Sequence, residues 1–144
     1  MMNKKIMLLS ILPTFYSLWS FPVNAESQSL DYAQVEQVKA TQSKDGSWCF
    51  SVQVRHNDQG WEHYANSWQV NDLKGNQLSK RILLHPHDNE QPFIRSQCGI
   101  VIPKTLTHVV VSASCDQHGL GGSVVELNMS KTSGEGFTLT PYQF

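Results

Sequence analysis

Between Trp48 and Arg55 the chain alternates residue by residue. Trp48, Phe50, Val52 and Val54 are large and apolar, while Cys49, Ser51, Gln53 and Arg55 are small or polar. A period of two cannot form one face of a helix; it puts alternate side chains on opposite faces of an extended strand. Val109, Val111 and Ala113 repeat the pattern against Val110, Ser112 and Ser114. Further β-rich runs cover Val35–Thr41, Ala65–Val70, Leu78–Leu84, Phe93–Ile102 and Ser123–Met129, with a last strand at Phe137–Tyr142. Breakers separate them at Ser43–Gly46, Asn71–Asn76, Pro103–Thr105 and Gly119–Gly122. Asp31–Ala40 reads as strand or helix; no other segment has a helical stripe, and the chain has no repeat or interdomain linker.

Short strands at this spacing predict an all-β chain, a single antiparallel immunoglobulin-like β-sandwich of about seven strands. The 144 residues are 40% hydrophobic and 16% charged, enough for one domain with a sizeable core and too few charges for disorder. Eleven basic residues against twelve acidic ones leave no positive excess, which argues against a nucleic-acid partner.

The amino-terminal 25 residues read as a signal peptide. Lys4 and Lys5 precede an apolar run, Ile6–Leu12, and Val23-Asn24-Ala25 places small residues where a signal peptidase reads them. Pro13 interrupts the apolar stretch, so no stable membrane anchor is expected, and no cysteine lies at the cleavage point to carry a lipid. The expected product is exported, periplasmic or secreted, with residues 26–144 forming one sandwich domain. Without the two leader lysines it holds nine basic and twelve acidic residues, a net charge of −3. Its three cysteines, Cys49, Cys98 and Cys115, predict one disulfide and one spare thiol in an oxidising compartment, with all three pairings open.

Strand direction then sorts the histidines. If successive strands run up and down, segments 56–64, 85–92 and 116–122 share one pole. That gathers His56, His63, His85, His87 and His118 and leaves His108 at the far end. Imidazole is the commonest metal ligand. His85-Pro86-His87 is a His-x-His pair whose extended shape is favoured by the central proline. The expected metal ligands are His63, His85, His87 and His118, with His56 and Cys115 in reserve and copper or zinc as the ion. Asp58, Glu62, Asp88, Glu90 and Asp116 stand nearby as ligands or as acceptors for ring N–H groups. Trp61, Tyr64, Glu90 and Arg95 are the expected binding surface, Arg95 pairing with Glu62 or Glu90, while Trp68 belongs in the core.

Cys115-Asp116-Gln117-His118 resembles the copper loop of cupredoxins, in which a cysteine and histidines hold the metal. The methionine that usually follows is replaced here by Gly119-Leu120-Gly121-Gly122, and the other reading of Cys115 is half of a disulfide. Two longer motifs, Gly-Trp-x-His-Tyr-Ala-x-x-Trp from Gly60 and His-Pro-His-x-x-Glu-Gln-Pro-Phe-x-Arg-Ser from His85, resemble an uncharacterised family of small exported bacterial proteins. That resemblance spans about residues 48–129 and implies no activity. A Gly-x-Ser-x-Gly elbow, a phosphate loop and a His-Glu-x-x-His helix are all absent. The leading reading is therefore an exported domain whose histidine pole binds a transition metal. The alternatives are a metal-free module for protein or glycan, and a small histidine-dependent enzyme, ranked last because no orienting triad is visible.

Overall fold

A computed structural model describes residues 29–144; the expected signal peptide lies outside them. Among the described residues ten strand segments form two sheets: β1 (Gln34–Gln42), β2 (Trp48–Arg55), β3 (Ala65–Asn71), β4 (Gln77–Ile82), β5 (Phe93–Ile100), β6 (His108–Cys115), β7 (Gly119–Leu120), β8 (Val125–Asn128), β9 (Ser133–Gly134) and β10 (Phe137–Thr140). One sheet has the order β5-β2-β1-β10-β9; the other is β4-β3-β6-β7, with β8 also pairing β6. The ambiguous segment after Asp31 is strand, because β1 has β2 on one side and β10 on the other to satisfy its backbone groups.

The sandwich is antiparallel-rich, with one departure. β1 and β10 pair in parallel, Val38 opposite Phe137 and Leu139 opposite Ala40. Strands beyond the expected seven are short pieces, β7 and β9 having two residues each. Consecutive strands also do not pair throughout: β2 partners β1 and β5 across one sheet, while β3 partners β4 and β6 in the other. Within each sheet the directions match the expected alternation, since β1–β2, β2–β5, β3–β4 and β3–β6 are all antiparallel.

The core is the inner face of both sheets. Trp48, Phe50, Val52 and Val54 of β2 face Val109, Val111 and Ala113 of β6, and Trp68, Phe93, Leu127 and Leu139 fill the space between. The alternation bends where the pairing slips. A register shift between Ala65 and Ser67 lets β3 bury Ala65, Ser67, Trp68 and Val70, with Asn66 and Gln69 facing outward.

The cysteines resolve in one way. Cys49 and Cys98 form a disulfide between β2 and β5, and Cys115 is free and buried at the end of β6. The reading of Cys115 as half of a disulfide is thereby corrected. Cys49 and Cys98 sit beside each other where the β2–β5 register shifts, whereas Cys115 lies in the opposite sheet.

Candidate metal centre

β2 runs to Arg55 and hands His56 to the pole; β3 begins two residues after His63; β6 ends at Cys115, and a tight turn places His118 just beyond it. These four residues converge. The ligand atoms of His56, His63 and Cys115 all lie within 4.8 Å of one another. His118 Nδ1 stands 3.2 Å from His63 Nε2 and 3.8 Å from Cys115 Sγ. The His63 ring meets His56 edge-on at 4.6 Å between centroids and His118 at 5.0 Å.

Two backbone features shape the thiol side. The turn that carries His118 points its own N–H at Cys115 Sγ, 3.3 Å away. That N–H takes up one acceptor direction of the sulfur and holds the turn against it. On the other side of the cluster, the carbonyl oxygen of Asp31, from the segment before β1, lies 3.1–3.3 Å from His118 Nδ1, His56 Nε2, His63 Nε2 and Cys115 Sγ.

Asp58 holds the buried half in place. Its side chain is fully enclosed, and Oδ1 takes the Nδ1 side of His56 at 2.6 Å and the N–H of Ala65 at 3.0 Å. Oδ2 accepts the backbone N–H of His87 at 2.7 Å. Burial alone would raise the Asp58 carboxyl; the hydrogen bonds from His56, Ala65 and His87 outweigh it and hold the group below its ordinary value. Asp58 fixes the Nδ1 side of the His56 ring and so turns Nε2 toward the cluster. Carboxylate–imidazole pairs orient metal-binding histidines in this way.

The other acids bond to groups other than the rings. Asp116 Oδ1 accepts the Tyr64 N–H and Asp88 Oδ1 the Gly60 N–H, each at 2.9 Å, tying the 56–64 loop to its neighbours. Glu90 pairs with Arg95 at 3.2 Å. Glu62 enters through its carbonyl, which accepts Gln117 Nε2.

All five expected histidines gather at one pole, and His108 starts β6 at the other end. They form two groups. His85 and His87 are set apart from the four-residue cluster, with ring centroids 4.5 Å apart and planes inclined by 38°. His87 is buried, stacked on Phe93 at 3.8 Å and 7°, and reaches the cluster through Asp58. The His85 and His87 rings are tilted against each other and stand outside the group of donor atoms formed by His56, His63 and Cys115. His85 is exposed, its Nδ1 2.8 Å from the Pro86 carbonyl. Burial, with the positive charges of Arg95 and His85, pushes the His87 imidazole below its ordinary value against the pull of Asp58 and Glu90.

Of the expected binding surface, Trp61 is 65% exposed and rests edgewise on Tyr64 at 5.4 Å, while Arg95 lies over the Phe93 ring at 5.6 Å. Sequence reasoning held His56 and Cys115 in reserve and gave Asp31 no role. Spacing carried a usable signal for His56, which stands two residues before a buried Asp58; a backbone carbonyl has none.

The chain is 38% identical over 102 residues, 69% of its length, to a protein of Halomicrobium mukohataei described as "Putative lipoprotein". It spans about half the length of that curated relative, 50%. No protein-family model matches the chain, and no solved structure matches it. Among the described residues no helix is long and apolar enough to cross a membrane.

Proposed function

We propose that this protein is an exported domain that binds one transition-metal ion through His56, His63, Cys115 and His118. The carrying observation is the crowding of electron-rich atoms. Three imidazole nitrogens, a thiol sulfur and a carbonyl oxygen meet at hydrogen-bond separations, with too few protons to link them all. His56 turns Nε2 to the Asp31 oxygen, 3.2 Å away, and electron-rich atoms this close repel wherever no proton lies between them. A cation among these atoms turns that repulsion into attraction.

Mixed imidazole and thiolate donors suit copper and zinc, the ions expected from the sequence. The cluster has a buried side, His56 and Cys115, and an open side, half-buried His63 and exposed His118. An ion enters from the open side and is fixed by the buried one. Export is supported by the leader-like amino terminus and by the description of the relative.

Calorimetric titration of the metal-free protein with Zn(II) and Cu(I), backed by metal analysis, tests the reading. One equivalent should bind at pH 7, and His63→Ala or Cys115→Ser should abolish tight binding. Asp58→Asn should weaken it about 10- to 100-fold by releasing the His56 ring. His85→Ala with His87→Ala should leave the stoichiometry at one. Loss of binding only in that double variant would move the site to the His-x-His pair; no binding by the folded parent would end the proposal.

A further inference from the structure

The Asp31 carbonyl occupies a position that the four side chains alone do not explain. Its oxygen stands 3.1 Å from His118 Nδ1, 3.2 Å from His56 Nε2, and 3.3 Å from both His63 Nε2 and Cys115 Sγ. A carbonyl oxygen has two lone pairs and cannot accept four hydrogen bonds of ordinary geometry. Around an ion with bonds near 2.1 Å, adjacent donors lie about 3.0–3.4 Å apart. The Asp31 oxygen thus stands at a donor–donor separation from all four side-chain donors.

The backbone around it is built to hold that position. Residues 29–33 form a strap before β1. The Tyr32 N–H donates to the Ser29 carbonyl at 3.3 Å, and the Asn57 N–H to the Leu30 carbonyl at 3.2 Å. Gln34 Nε2 donates to the carbonyls of Ser29 and Tyr32, and its Oε1 accepts the Ser123 N–H at 2.6 Å. Tyr32 packs on His118 with ring centroids 5.4 Å apart. The strap lies so close to the β7–β8 connection that a Cβ on Gly122 would fall 2.0 Å from the Ala33 carbonyl oxygen.

We propose that the Asp31 backbone carbonyl is a fifth metal donor, so that the metal fastens the amino-terminal strap across the histidine pole. This rests on the metal-binding reading above. The ion then has two tasks, joining the ends of β2, β3 and β6 and locking the chain segment that leads into β1. Substituting the Asp31 side chain leaves this donor in place, since the ligand is backbone.

The test uses the protein from residue 26 to 144, labelled with carbon-13 at the backbone carbonyl of aspartate and loaded with Co(II). There are six aspartates, hence six signals. Thiolate-to-cobalt charge-transfer absorption reports that the ion sits at Cys115. The expected result is one carbonyl signal thrown far outside the range of the other five by spin density transferred through a direct bond. It should vanish in Asp31→Glu, which removes the label and keeps the carbonyl. Gly122→Ala, which displaces the strap without touching a donor side chain, should pull the Asp31 signal back toward the others while the cobalt absorption persists. Zn(II) should also slow hydrogen exchange at the Tyr32 and Asn57 amides. Cobalt absorption with all six carbonyls grouped together would overturn the fifth donor and leave the four-ligand reading standing. Absence of cobalt absorption in folded protein would overturn both.

Discussion

Asp58 and His87 show how one buried carboxylate serves two rings differently. Asp58 fixes the His56 ring through a 2.6 Å contact, yet lies 3.7 Å from His87 Nδ1 and takes only the backbone N–H of that residue. His87 is therefore enclosed with both ring nitrogens lacking a hydrogen-bond partner. Charging it without a partner is costly, and its lowered value follows first from that burial. The sign is definite: below about pH 6.5 the unfolded chain takes up a proton at this position that the folded protein refuses. The His87 contribution is complete above that pH and is lost as pH falls toward the lowered folded value. Asp58, also lowered, adds stability that is present above the unfolded carboxylate value and is lost as pH falls through its own folded value, further into acid. In chelator-treated protein, urea denaturation should show stability declining from pH 7 to pH 5. His87→Phe, which keeps the backbone N–H to Asp58 and the stack on Phe93, should flatten that decline. An unchanged slope in the variant would remove His87 from the explanation.

At the scale of elements, the same strands that build the core aim the residues of the cluster. β6 alternates buried and half-buried positions from His108 to Cys115, so the inward phase that seats Val109, Val111 and Ala113 also delivers the Cys115 sulfur inward at its last residue. β2 does the same, passing from Trp48, Phe50, Val52 and Val54 to a buried His56. A one-residue slip in either strand would turn its cluster residue outward. Phe50, fully buried near the middle of β2, anchors that phase. Phe50→Ala should cost about 3–5 kcal/mol in chemical denaturation. Ile94→Ala, on the 54% exposed outer face of β5, should change stability by less than about 0.5 kcal/mol. Equal costs at the two positions would contradict the assigned faces.

For the molecule as a whole, the disulfide and the histidine–cysteine cluster stand at opposite ends of β2. The Cys49–Cys98 disulfide ties β2 to β5 across a sequence separation of 49 residues, beginning one residue into β2, at the end away from His56. The cluster of His56, His63 and Cys115 gathers the ends of β2, β3 and β6 at the histidine pole. Restricting the unfolded chain over a loop of that size is worth about 2–4 kcal/mol. Cys49→Ser with Cys98→Ser should lower stability by that amount, seen as a reduced denaturation midpoint, while zinc stoichiometry stays at one. Loss of zinc binding in the folded double variant would mean that the disulfide, and not the β-phase, positions the pole.

Local pattern was sufficient for the strand faces, because the two-residue period and the glycine and proline breaks are written in neighbouring residues. Alternating strand direction was also enough to bring five histidines to one end and leave His108 at the other. Which of them meet was decided in three dimensions. His87 is turned under Phe93 and His56 is turned inward by Asp58, and both depend on packing between loops that are far apart in the chain. The pairing of the cysteines followed from two sheets separating Cys115 from the β2–β5 edge. The parallel β1–β10 pair and the Asp31 carbonyl had no local signature at all: hydrogen bonds between backbones depend on where segments lie, not on which side chains they carry.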